Sequence, residues 1–263
     1  MTEWTFGPDS MMWKVNRESI LLLGGRAALL MQLAHPSVAA GVAQHSDFRA
    51  DPVRRLRRTL DATASVIFGD VETSRRTANV IKAVHARIHG VTPEGRPYSA
   101  QDPRLLLWVH ETLVDSSIRV YEGCVRPLSE NEIERLYDET KVFAGMFNIP
   151  NNLIPPTLAD MRSDMNLRID NGEVRVSDQA RELADPIIRP IKVLPRSLAN
   201  RAAVITAALL PPAIRAGYGL RLGLADRTLL AFGGRAARFV LPRLPQGLRS
   251  LPLGRIATRN AIG

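Results

Sequence analysis

Cysteine is nearly absent. Cys124 stands alone among 263 residues, which excludes an internal disulfide and any zinc cluster built from cysteines. Long apolar runs are missing as well. The best candidate, "ILLLGGRAALLMQLA", is broken by Arg26 and Gln32 and is shorter than the roughly twenty residues that a bilayer crossing needs. The N-terminal "MTEWTFGPDS" lacks the basic-then-apolar order of a secretory signal, so the expected location is cytoplasmic. Aromatic residues make up only 5%, and no nucleic-acid-binding motif is present, so no nucleic-acid partner is expected. There is no internal repeat and no low-complexity tract.

Carboxylates are scarce at one end. From Ala213 to Gly263, nine arginines face a single acid, Asp226, so this stretch carries +8 of the formal charge of +9. The asymmetry divides the chain into a helical domain over 1–212 and a basic helical extension over 213–263, which is expected to pack on the same domain. Within the extension, "LLAFGGRAARFVLPRL" mixes bulky apolar residues with arginine. Such a pattern suits a solvated helix pair or a peripheral contact with anionic lipid at the inner face of the membrane.

What is present is mostly helix. With 45% apolar and 23% charged residues, the composition is that of an ordinary globular protein. "RESILLLGGRAALLMQLA" reads as a long apolar helix that stops where Pro36 follows His35. "DPVRRLRRTLDATASVIFG" and "DPRLLLWVHETLVDSSIRVYEG" share an Asp-Pro start that suits a helix N-terminus. The second is apolar nearly all round and should be central and buried. "SRRTANVIKAVHARIHG" reads as a helix to Gly90, "VTPEGRPYSA" as a loop and "SENEIERLYDETKVFAGMFN" as an amphipathic helix. Only "LRIDNGEVRVS" alternates like a strand, around Asn171-Gly172, so the expected fold is all-α with at most one small β-hairpin near 167–176.

All five histidines fall between residues 35 and 110. His85 and His89 are four apart on a helical pattern, where Val80, Ile81, Val84 and Ile88 form an apolar stripe. His85 sits at the edge of that stripe and His89 a further 40° round, toward solvent, at about 100° per residue. No H-E-x-x-H and no Glu-x-x-His pattern is present. The pair can be a metal site, one axial ligand beside a bystander, or a satisfied core histidine with a surface neighbour. His110 should be buried and in need of a hydrogen-bond partner. His35 and His45 bracket "PSVAAGVAQ", whose small residues would let a flat cofactor or another helix approach. In "VRRLRRTLDATASVIFG", Val53, Leu56, Leu60 and Ile67 mark a core stripe, while Arg55, Thr59, Ala62 and Val66 form a flanking face. That face reads either as a pocket wall carrying a cation and a hydroxyl or as a solvated helix surface.

Taken in order, "GGRAALLMQLAHPSVAAGVAQHSDFRADPVRRLRRT", "IFGD", "VHARIHG", "YSAQDPRLLLWVHETLVDS" and "LIPPTLADM" resemble the MpaB-type oxygenase family, which includes the catalytic domain of the rubber oxygenase latex-clearing protein. The resemblance covers roughly residues 13–215, leaving the basic extension almost wholly outside it. It implies an all-α fold with a globin-like core and one b-type haem. The proximal histidine falls on the helix matching "VHARIHG", most naturally His85, with His89 second. It places an Arg-x-x-Lys-Thr motif at Arg55-Leu56-Arg57-Arg58-Thr59, with Arg58 where rubber-cleaving members have lysine. A guanidinium stays protonated and is no ordinary iron ligand, so Arg55, Arg58 and Thr59 are expected as distal donors. His35 and His110 complete the expected cofactor-binding set. Family members cleave isoprenoid double bonds, so the implied partners are dioxygen and a lipophilic, alkene-containing substrate. Two other activities compete: a non-catalytic helical lipid-binding protein, and a metal-dependent hydrolase that uses His85 and His89 together.

Overall fold

The computed structural model describes residues 3–45, 52–188 and 196–250, with side chains throughout except at 52–58, 196–202 and 246. The fold is all-α with one small antiparallel sheet. Its helices start and stop where local chemistry dictates. Ser10 accepts from the Trp13 N–H to open α1 (Met11–Asn16). Next, α2 (Leu22–Ala34) ends at His35, which is extended (ψ 120°) because Pro36 bars the helical conformation before it. Pro36 itself begins α3 (Pro36–His45). Gly69 follows α4 (Pro52–Phe68), and Asp70 caps α5 (Val71–His85) by accepting from the Thr73 N–H at 2.7 Å.

Around the centre, Asp102 caps α6 (Pro103–Cys124), while reciprocal capping boxes start α7 (Glu130–Met146) at Ser129/Glu132 and α8 (Leu158–Asp170) at Thr157/Asp160. The remaining helices are α9 (Asp178–Ile188), α10 (Arg196–Leu209), α11 (Pro212–Gly217), α12 (Leu224–Val240) and α13 (Gln246–Arg249).

The core forms around α6, which is buried on most of its circumference and lies along α2. Two polar contacts fix their register: Trp108 Nε1 donates to the Met31 carbonyl at 3.1 Å, and Gln32 Nε2 donates to Thr112 Oγ1 at 3.1 Å. The chain after residue 212 is tied to this core. Tyr218 Oη donates to the Leu30 carbonyl at 2.8 Å, Ile214 is buried, and α12 lies on α6 and α10. At the α6–α12 crossing, a Cβ on Gly234 would come within 2.8 Å of the Gly123 carbonyl oxygen, so only glycine permits this approach. Glu18 forms an isolated β-bridge with Ser250, and its buried carboxyl lies 3.5 Å from Arg249 Nε and 3.8 Å from Arg17 Nε.

The hairpin expected near 167–176 is not there. Leu167 to Asp170 complete the last turn of α8, Asn171 is right-handed (φ −82°, ψ −1°), and only Gly172 has positive φ (79°). The favoured two-residue hairpin turns need positive φ at the first central position, which Asn171 lacks; one left-handed glycine after a helix is instead a C-terminal stop, here with Gly172 N–H donating to the Ile169 carbonyl at 3.2 Å. The sheet lies in the stretch expected to be a loop. β1 (His89–Val91) pairs with β2 (Pro97–Ser99) around a turn in which Gly95 (φ 80°) takes the left-handed position. Prolines 93 and 97 disguise it, yet a two-stranded edge tolerates Pro97.

A second correction concerns α5, which stops at His85 and does not run on to Gly90. Val80 and Val84 are 60% and 51% exposed, so the apolar stripe is not the buried one. The inward positions are Ser74, Ala78, Ile81 and His85, spaced four, three and four apart. Ser74 is fully buried because its hydroxyl donates to the Val66 carbonyl at 2.8 Å and so ties α5 to α4.

Candidate functional site

A cavity of about 400 Å³ lies between α2, α3, α4, the end of α5 and the first half of α6. Its wall is mainly apolar: Leu29, Leu33, Val38, Ile67, Phe68 and Val109 are among the residues that form it. Such a volume is in the usual range for a small-molecule site. Small residues keep it open, with Gly24, Gly25 and Ala28 on α2 and Gly41 on α3. Nothing lies within 4 Å of where a Gly25 side chain would point.

His85 reaches this wall from the last residue of α5. It is half-buried, and burial lowers its pKa, which favours the neutral imidazole. Neither ring nitrogen has a hydrogen-bond partner among the described residues. Thr59 lines the same cavity from α4, one helical face with Leu60, Thr63, Ala64 and Ile67; Ala62 and Val66 of the expected flanking face do not line it. Arg55 and Arg58 precede Thr59 on α4, but their side chains lie outside the described residues.

The other histidines are dispersed. His45 lines the cavity at the end of α3, and its Nε2 lies 2.9 Å from the His89 carbonyl. His89 sits on β1 with an exposed side chain. His35, at 9% exposure, takes the Ser37 N–H on Nδ1 at 3.2 Å, and desolvation lowers its pKa to about 4. His110 is buried on α6, stacked on Phe143 with ring centres 6.0 Å apart; its Nε2 has no partner, and burial lowers its pKa to about 4. His35, His89 and His110 are not among the residues lining the cavity. Among the described residues, no group of three His, Cys, Asp or Glu side chains is placed to hold a metal ion.

Tyr98 escapes sequence reasoning because it lies in the proline-marked stretch taken as loop. It is buried at the cavity wall, and its hydroxyl donates to Gln44 Oε1 at 2.7 Å, while Gln44 Nε2 donates to the Val91 carbonyl at 2.9 Å. This chain of bonds holds the hairpin against α3. A Cβ at Gly90 would fall 2.5 Å from Gln44 Oε1 and 2.9 Å from Tyr98 Oη. Gly90→Ala is therefore expected to break the Tyr98–Gln44 bond and cost about 1–3 kcal/mol. Denaturant titration measures it, and Gln44→Ala in the same chain should recover part of the loss. An unchanged midpoint would mean the hairpin has slack at this point.

A buried polar cluster sits away from the cavity. Glu111 on α6 is 1% exposed, and neither carboxyl oxygen has a hydrogen-bond partner. Arg168 Nη1 stands 3.7 Å from it, beyond hydrogen-bond reach, so desolvation outweighs the attraction and holds the Glu111 pKa up at about 8. Arg168 pairs with Asp164 instead, through Nη2.

Two uncharacterised mycobacterial proteins, from Mycobacterium bovis and Mycobacterium tuberculosis, are each 25% identical over 134 residues, which is 49% of this chain and 52% of theirs. The chain thus spans about half the length of the curated relatives it matches. No solved structure matches it at a significant level. The family model described as ER-bound oxygenase mpaB/B'/Rubber oxygenase, catalytic domain, matches residues 13–240, and so reaches through α12, beyond the roughly 215 at which the sequence resemblance ends. A match of that extent, over a helical fold that gathers His85 and Thr59 on one cavity, makes the chain a member of this oxygenase family.

Proposed function

We propose that the chain is a haem-dependent oxygenase acting on a lipophilic, alkene-containing substrate, with His85 as the proximal ligand of a b-type haem. The observation that carries this reading is the state of His85: a half-buried imidazole, kept neutral by desolvation, without a hydrogen-bond partner among the described residues, on the wall of an apolar cavity. The donor set fits this cofactor better than a bare ion. One neutral imidazole suits the single axial position of a haem, whereas a protein-held zinc needs three or four ligands. A hydrolase using His85 and His89 would need a third ligand that the described residues do not bring near.

When bound, haem would supply the dioxygen chemistry. The rest falls to this chain. His85 offers its lone pair and fixes the cofactor, and the Leu, Val and Phe wall excludes water and accepts an apolar substrate. Thr59 offers a hydroxyl on the α4 wall, and Arg55, one helical turn earlier in sequence, is proposed with Arg58 as a source of charge-assisted donors toward developing negative charge.

The test is an absorption spectrum. Purified protein, or the protein titrated with hemin, should develop a Soret band at one haem per chain. A colourless protein that leaves the hemin spectrum unchanged would eliminate the proposal. A non-catalytic lipid-binding protein could use the same apolar wall, and such a protein would bind a lipophilic probe while showing no hemin affinity.

A further inference from the structure

We propose that the outward face of α12 docks on anionic phospholipid membrane and holds the α6 end of the cavity toward the bilayer. The orientation of the cavity rests on the functional reading above, because it assumes a lipophilic substrate; the docking does not.

The face is apolar and, among the described residues, uncovered. Leu229, Phe232 and Phe239 are 57%, 64% and 62% exposed, and Val240 is exposed beside them. At about 100° per residue these four fall within roughly 100° of arc. The packed side, Leu230, Gly234 and Ala237, lies round the helix from them, and Gly234 meets Gly123 of α6. Two exposed phenylalanines with Leu229 and Val240 on one stripe make a contiguous patch bulkier than the Val80/Val84 pair of α5, and such patches mark interaction surfaces.

Charge selects the partner. Arg235 borders the apolar arc, about 40° from Phe239 round the helix, Arg238 and Arg227 continue on that side toward Gly234, and Arg243 follows the helix, its guanidinium 3.7 Å from the centre of the Phe239 ring. None of the four has a carboxylate partner among the described residues. The lone acid of the region, Asp226, is turned to the start of the helix, where its Oδ2 accepts from the Gly223 N–H at 2.9 Å. Bulky apolar residues beside arginines that no carboxylate neutralises are what an interfacial helix presents to anionic headgroups. A second copy of the chain fits poorly, since a two-fold contact through this face would set one arginine row against another with no acid between them.

Position links the face to the cavity. Gly123, under Gly234, lies six residues beyond Ser117 on α6, about 9 Å along the helix. Ser116 and Ser117 line the cavity together with Leu21 and Leu22, and Leu22 is 45% exposed. A bilayer against α12 therefore lies close to an end of the cavity that already reaches the surface.

The test uses the full chain and vesicles of phosphatidylcholine alone or mixed in equal parts with phosphatidylglycerol. Co-sedimentation should occur with the mixed vesicles and weaken as salt rises, because screening shortens from about 8 Å at physiological ionic strength to about 3 Å at 1 M. Phe232→Ser with Phe239→Ser should lower partitioning by about tenfold or more and leave the circular dichroism and the hemin titration unchanged, as both rings are exposed. Arg235→Gln with Arg238→Gln should flatten the salt dependence. An environment-sensitive dye on Leu22→Cys, in a Cys124→Ser background, should shift to the blue on the mixed vesicles. Equal binding to both vesicle types, or wild-type binding by the double phenylalanine variant, overturns the docking. A concentration-dependent dimer that disappears in that variant assigns the face to a second copy and also overturns it. An unshifted dye with docking intact overturns the orientation alone. Haem affinity is read separately by the hemin titration, so its failure leaves the docking result standing.

Discussion

Replacing His85 by alanine is expected to weaken hemin binding by roughly a hundredfold, equivalent to about 2.8 kcal/mol, while His89→Ala leaves it nearly unchanged. The separation follows from position. His85 lies on the cavity wall at the end of α5, and His89 is on β1 with its side chain outside. A purely structural role for His85 predicts a different outcome. Its ring makes no hydrogen bond to a described residue, so the cofactor-free His85→Ala protein should lose no more than about 1 kcal/mol of stability. A histidine serving as a core residue would cost more and leave hemin titration alone. Added imidazole should restore the spectrum of His85→Ala by filling the vacated ligand position. Hemin affinity lost in His89→Ala and kept in His85→Ala would transfer the ligand role to His89.

The second large effect is on stability against pH. His35 and His110 are depressed from 6.5 to about 4, so their contribution is complete above pH 6.5 and is lost as pH falls toward 4. Each represents about 3 kcal/mol over that span. Glu111 runs the other way. Its pKa is raised from 4.5 to about 8, so its contribution is complete below pH 4.5 and is lost as pH rises toward 8. Unfolding free energy should therefore rise from pH 4 to a maximum near 6.5 and then decline by about 2 kcal/mol on the way to pH 8. Glu111→Gln should abolish the alkaline decline, and His110→Phe should remove about half of the acid limb attributed to the two histidines. Denaturant titrations across this range check both. A Glu111→Gln profile parallel to wild type would mean that water or Arg168 solvates the carboxylate well enough to keep it charged.

Much of the architecture was legible. The Asp102-Pro103 start and the Pro36 stop are short-range signals, and both form where the sequence puts them, while Asp51 of the other Asp-Pro start lies outside the described residues. The hairpin was missed because Asn171-Gly172 satisfies two different endings, a reverse turn and a helix stop, and the choice is made by the packing of Met161, Met165 and Ile169 into the core. The α5 face was misread because hydrophobicity pointed to the valines, whereas Ser74 and Ala78 are what close packing against α4 admits. His85 was singled out from a stripe that turned out to be exposed, yet it stands on the buried one, since the two faces adjoin. Tyr98 and Gln44 could not be found without the sheet, because 54 residues separate them and neither belongs to a motif.

The bridge between Glu18, just before α2, and Ser250, with Tyr218 reaching back to Leu30 on α2, ties late parts of the chain to the helix that forms one wall of the cavity. During synthesis α2 must wait for some two hundred further residues before these partners exist. The first half holds every histidine and every described residue that lines the cavity, from Asn16 to Ser117, but it leaves the ribosome before the helices that pack behind α2 and α6. If the proposed haem needs α2 held firmly as a wall, hemin capture by ribosome-stalled chains should begin only once the stall point has passed α12.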